Sequence, residues 1–183
     1  MTADELKALV LSAGADGADY VPTDCIVMSD EFRAICESNS CGKYGKCLMC
    51  PPFAGDIHEL MAAVRRFSGG ILYQSISALE DSFDIEGMEA AAKRHSLLSQ
   101  RVQELVKASF SGDMLHLSCG GCGICERCAG YDGEPCRFPD KALSSMEAYG
   151  INVYLTSTST SLRYINGQNT VTYFGMVLFH DEA

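Results

Sequence analysis

The placement of cysteine constrains this chain more than any other feature. Nine of its ten cysteines fall in two compact stretches. The first holds Cys36, Cys41, Cys47 and Cys50 and closes on Pro51-Pro52; the second holds Cys119, Cys122, Cys125, Cys128 and Cys136, with Pro135 and Pro139 around the last. Cysteines three apart in a glycine-bearing loop can turn their sulfurs toward one centre. Successive Cys-x2-Cys steps closed by a proline-flanked Cys follow the run that holds a cubane iron–sulfur cluster. Whatever the chain folds into has to carry two such loops on a rigid support.

At 183 residues and 47% hydrophobic, the chain can bury a real core, so the cysteines are not needed as staples and one domain over residues 1–183 is expected. Met1 to Leu6 lacks the basic and apolar regions of a signal peptide, and no stretch approaches a membrane span, which points to the cytoplasm. In a reducing compartment clustered cysteines serve as metal ligands or catalytic thiols rather than as disulfides. The net charge of −10 argues against nucleic acid or an anionic membrane as the main partner, since both require a basic face. Arg33, Lys43, Lys46, Arg127, Arg137 and Lys141 nevertheless sit in or beside the cysteine segments, where cations would offset the negative charge of a thiolate-bound centre.

Periodicity places these segments among regular elements. Thr2-x-x-Glu5 is a capping box opening a helix with Leu6, Leu9, Val10 and Ala13 on one side, and Asp56 caps a second helix carrying Ile57, Leu60, Met61, Val64 and Phe67, with Gly69-Gly70 as its stop. A longer helix is expected from about Met88 to Phe110. Strands are expected at Cys25 to Met28, Ile71 to Ile76, Met114 to Ser118 and Thr170 to Phe179. A short helix from Asp140 to Tyr149 closes on Gly150, and residues 153–161 fit either an extended segment or a helix capped by Asn152. The pattern predicts an α/β fold: one layered domain with a central sheet of about four or five strands, flanking helices and two cysteine-rich metal-binding loop segments.

For the second segment the competing metals are iron and zinc. Structural zinc sites normally use two Cys-x2-Cys knuckles separated by a spacer, whereas here the pairs overlap and five thiols exceed what one tetrahedral ion needs. The spacing favours an iron–sulfur (4Fe-4S) cluster, with zinc or unliganded redox thiols as alternatives. Cys122, Cys125, Cys128 and Cys136 form the preferred quartet; Cys119 to Cys128 form the other possible one. The first segment reads as a second metal site or, alternatively, as buried free thiols.

The segments Arg33-x2-Cys36-x4-Cys41-Gly-x-Tyr44-Gly45-Lys46-x3-Cys50-Pro51-Pro52, Cys122-x2-Cys125-x2-Cys128-x6-Pro135-Cys136-Arg137-x-Pro139 and Ser145-Met-Glu-Ala-Tyr-Gly150-Ile resemble the signatures of a cysteine-rich family of uncharacterised prokaryotic predicted metal-binding proteins. The resemblance implies metal binding without an activity and points to Cys36, Cys41, Cys50, Cys122, Cys125, Cys128 and Cys136 as ligands. By the same comparison Cys25, Cys47 and Cys119 lie outside the pattern. A site with three cysteines would leave one iron of a cubane open to another ligand.

No phosphate loop, dinucleotide fingerprint or nucleophile elbow is present, and His58, His95, His116 and His180 are scattered. Three functions follow: an electron-transfer or redox-accessory protein carrying one or two clusters and docking on a redox partner; an enzyme with an open iron at Cys36, Cys41 and Cys50, marked by a pocket beside them; or a zinc-stabilised binding module.

Overall fold

The computed structural model describes residues 1–181. Its frame is a four-stranded antiparallel sheet in the order β1-β2-β4-β3, built from β1 (Gly17–Pro22), β2 (Gly69–Ala78), β3 (Met114–Leu117) and β4 (Thr170–Phe179). Five helices surround it: α1 (Ala3–Ser12), α2 (Glu31–Glu37), α3 (Ile57–Arg65), α4 (Ile85–Ser109) and α5 (Val153–Ser157). The expected α/β class and strand number are borne out.

Alternation along the central strands sorts side chains between two cores. Ile71, Tyr73, Val177 and Phe179 face α1 and α4, where they meet Leu6, Val10, Leu98, Val102 and Val106. Leu72, Phe174, Met176 and Leu178 face the other way, against Val64 of α3 and Met146, Ile151 and Val153 of the later chain. Each fully buried side chain of this size contributes about 1.5–3 kcal/mol of transfer free energy, so the two central strands anchor the fold.

Local signals set several boundaries. Thr2 and Glu5 form the capping box at α1, and Asp56 accepts from the amides of His58 and Glu59 at α3. Asn152 caps α5 through Leu155 N, which makes the start of residues 153–161 helical. Helix α4 begins at Ile85, three residues earlier than the apolar pattern alone suggested, because Asp84 accepts from Gly87 N.

Three expectations are corrected. Cys25 to Met28 is not a strand: Thr23–Cys25 is a 3-10 turn, and only Met28 makes an isolated bridge, to Ile151. The strand lies upstream at Gly17–Pro22, where pairing with β2 overrides the weak β propensity of Gly, Ala, Asp and Pro. Gly69-Gly70 does not cap α3 but opens β2, and a Cβ on Gly69 would fall 2.5 Å from the Tyr20 hydroxyl oxygen. The stretch after Asp140 is irregular except for the 3-10 turn Glu147–Tyr149, which Gly150 ends at φ 76°.

Strand β3 is short. It pairs with only Met176 to Phe179 of β4, then passes Ser118, bridged to Ser145, and turns away at Cys119-Gly120, with Gly120 at φ 62°. The other half of β4, from Thr170 to Gly175, therefore has no strand neighbour on that side among the described residues, and the cysteine segments gather beside it.

Opposite Tyr73 on β4 stands Gly175. A Cβ there would overlap the end of the Tyr73 side chain, against Cζ and Oη, so glycine is what lets this ring lie across β4 toward β3. Gly175→Ala is expected to destabilise the chain by about 2 kcal/mol through overpacking, read as a lower urea midpoint with unchanged slope; an unchanged midpoint would show that the ring has another resting place.

Candidate metal centre

The first cysteine segment hangs between α2 and α3. Cys36 lies in the last turn of α2, and Arg33, one turn back, donates from Nη2 to Gly55 O at 2.7 Å, tying the helix to the far end of the loop. Between them the chain reverses through Asn39 at φ 54°, whose Oδ1 accepts from Tyr44 N at 3.0 Å, and through Gly42 and Gly45 at φ 70° and 66°. A turn with Cys50 N donating to Cys47 O at 2.9 Å then brings the last two thiols together.

The electrostatics record this convergence. Cys50 donates its thiol hydrogen to the Cys47 sulfur, and its own ionisation is pushed up by that bond, by burial and by Cys47, Cys41 and Cys36. Cys47 is lowered to about 6, first by the Cys50 bond, then by backbone N–H groups of Met49 and Cys122 and by Lys43. Burial raises the Cys36 thiol despite the nearby Arg33 guanidinium.

The second segment packs directly on the first. The Cys47 sulfur accepts the Cys122 amide. Gly130 rests against the Lys46 carbonyl and Leu48, where a Cβ would lie 2.8 Å from that oxygen, and a Cβ on Gly121 would lie 3.4 Å from Cys50 Sγ. Tyr131 stacks under both Arg127 and Lys46, at 4.8 and 5.8 Å from its ring centre, and Arg127 also pairs with Asp132 at 2.8 Å. Such exposed pairs contribute little stability, but they hold the two loops in register.

Two spaces result. Cys122, Cys125, Cys128 and Cys136 ring a hollow of about 20 Å³ that Leu48, Met49, Ile124 and Phe138 help to close. Cys36, Cys41 and Cys50 face a cleft of about 800 Å³ instead, whose lining also includes Cys119 and Cys122. Cys122 thus belongs to both. The cleft continues past the loops to Ser96 and Gln100 of α4 and to Tyr173 and Phe174 on the open half of β4.

The remaining cysteines separate. Cys25 is exposed on its 3-10 turn, outside the linings of both spaces. Cys47, 1% exposed, is the stitch between the loops. Cys119 lines the cleft, its thiol pushed up to about 12 by burial and then by Glu147, whose carboxyl is itself raised by burial. All ten cysteines are free thiols.

The donor set fits a thiolate-bound metal centre. The thiols are reduced and soft, and the Arg33 Nε–H, buried beside Cys36 without a partner, is a donor suited to a nearby anionic group. Among the described residues no three His, Cys, Asp or Glu side chains close on one ion-sized point. No described helix is long and apolar enough to cross a membrane.

The α4 and β4 walls of the cleft had no motif to announce them. Ser96 and Gln100, four residues apart on α4, are one available signal, since polar side chains recur there beside the apolar stripe. A protein-family model described as "Predicted metal-binding protein (DUF2284)" matches residues 19–179. No curated protein and no solved structure matches the chain.

Proposed function

Because the chain belongs to this family of predicted metal-binding proteins, we propose that it is an iron–sulfur redox protein with a small-molecule site. In this reading Cys122, Cys125, Cys128 and Cys136 hold one cluster, while Cys36, Cys41 and Cys50 hold a second centre facing the cleft. The observation that carries it is the pairing of a nearly closed cysteine hollow with an open cleft of about 800 Å³ that shares Cys122 with it. That volume lies in the range of ligand pockets.

The overlapping Cys-x2-Cys steps, without the spacer between two zinc knuckles, and the fifth thiol support an iron–sulfur group over zinc. An iron–sulfur cluster, when bound, supplies reversible one-electron chemistry. The chain's own part is to hold and shield it. Met49, Ile124 and Phe138 line the hollow with apolar side chains, Arg137 donates to Arg127 O at 3.0 Å and fixes the loop before Cys136, and the Ile124 and Leu143 amides donate to the Cys122 sulfur. Tyr131 and Phe138, both exposed beside this loop, offer an apolar rim for transient docking of a redox partner protein.

Anaerobic purification with iron, sulfide and zinc quantitation, and EPR of the reduced protein, tests the reading. About four irons and four sulfides for each filled site are expected. Zinc at about one per chain without sulfide would overturn it in favour of a zinc-stabilised module.

A further inference from the structure

Among the described residues that line the cleft, Glu147 alone carries a carboxylate. It opens the 3-10 turn Glu147–Tyr149 and is flanked by Met146 and Ala148, 0% and 2% exposed. This turn is tied at both ends. Met146 N donates to Ser118 O at 3.0 Å, where β3 runs into the second cysteine segment, and Gly150 O accepts from Ser29 N at 2.8 Å, shortly before α2 and Cys36. The carboxylate itself accepts from the Ser145 hydroxyl and from its own amide. Its place among the cysteines is therefore set by the frame of the fold.

A carboxylate withdrawn from water normally has a cation beside it. Among the described residues no Lys, Arg or His forms an ion pair with Glu147, and burial raises its carboxyl. Its charged neighbours are thiols. Burial raises Cys36, Arg33 lowers it, and Cys41 and Glu147 add to the rise. Cys119 is raised by burial and then by Glu147, the one charged group that acts on it, whereas Cys36, Cys41 and Cys50 do not. Glu147 thus stands closer in charge to the three-cysteine set than Cys119 does. In the metal-free chain this company of acidic groups costs stability. A bound metal ion reverses the sign, because thiolates and carboxylate then share one positive centre.

We propose that Glu147 is the non-thiolate ligand of the second centre, its carboxylate binding the iron that Cys36, Cys41 and Cys50 leave without a thiolate. The inference rests on the iron–sulfur reading and supplies the fourth ligand to it. Any proton on the carboxyl passes to solvent on binding, as it does for every protein group that coordinates a metal. A carboxylate is a hard donor on a soft centre. It gives way to a ligand arriving in the cleft more readily than a thiolate would, so Glu147 covers the open position while the cleft is empty and yields it when the cleft fills.

Release of iron to excess EDTA from the anaerobically reconstituted full chain tests the assignment. The centre facing the cleft is expected to give the faster phase, and Cys36→Ser to remove that phase. Glu147→Ala is expected to speed it about tenfold or more. Acetate, a small carboxylate that can occupy the space left by the side chain, should slow it again where chloride at equal ionic strength does not. Glu147→Gln, which keeps the size of the side chain, should also release iron faster, yet leave the metal-free urea midpoint at or above that of wild type. Wild-type release rates in both variants, an acceleration that acetate leaves unchanged, or a lowered metal-free midpoint for Glu147→Gln would overturn the ligand role alone. A wild-type chain that takes up no iron, or a fast phase that Cys36→Ser leaves in place, would overturn the metal reading and the ligand with it.

Discussion

Replacing Cys122 by Ser is expected to empty the hollow: iron and sulfide bound by the second segment should fall about tenfold or more, with the visible absorbance of the reconstituted protein falling in parallel. The expectation rests on the position of this sulfur. It lines both spaces and accepts the amides of Ile124 and Leu143, and a serine hydroxyl is a far poorer soft-metal ligand than a thiolate. The fold should tolerate the change, because the side chain is only half-buried and the Cys122 amide that reaches Cys47 is retained. Cys25→Ser is the matched control, since Cys25 is exposed and lines neither space. Equal metal content in both variants would remove Cys122 from the ligand set.

Acidification should weaken the metal-free fold by about 4 kcal/mol between pH 7 and pH 5 through two histidines alone. Burial lowers His95 from 6.5 to about 4 and His116 from 6.5 to about 3. Both folded values lie below the unfolded one, so the unfolded chain binds protons more readily. Their contribution is complete above about pH 6.5 and declines as pH falls toward the folded values. At pH 5 each has lost about 2 kcal/mol, against a total stability of about 5–15 kcal/mol for a typical domain. Cys47, lowered to about 6, acts with the same sign, and the raised Glu147 carboxyl acts against it. Urea denaturation at several pH values separates the histidines from these: His116→Asn should flatten the acid slope by about half of the histidine share, and an unchanged slope would show that His116 titrates normally in the folded chain.

The legible parts of the fold were those encoded locally. Strand β4 is ten residues of mostly β-forming side chains, and it was expected at Thr170 to Phe179, the bounds it has. Thr2, Glu5 and Asp56 reveal helix starts because a cap acts within four residues. Strand β1 was missed for the opposite reason: Gly17-Ala18-Asp19 has little intrinsic preference for strand, and its pairing partners lie some fifty residues away at Ile71 to Gln74. The apolar run Cys25 to Met28 drew attention instead, although its Ile26 is buried from an irregular segment.

The candidate site divides in the same way. Cysteine spacing announces thiols that can converge, because three-residue steps are a local matter. A pocket beside Cys36, Cys41 and Cys50 was named only as the mark of one function, and its extent could not be read, since its walls join α2, the second cysteine segment, α4 and β4 through the topology of the sheet. Tyr73 and His116 illustrate this: they are 43 residues apart, and their contact exists because Gly175 on a third strand has no side chain.

The early end of β3 has one more consequence. From Thr170 to Gly175 the outer edge of β4 presents main-chain groups that no strand of this sheet claims, and Thr172, Tyr173 and Phe174 from that stretch line the cleft. A ligand carrying an amide or carboxylate could be recognised there by peptide groups as well as by side chains. Peptide groups survive nearly every substitution, so the grip of this edge on a ligand would be inherited with the backbone, while the loops around it remain free to change what is gripped.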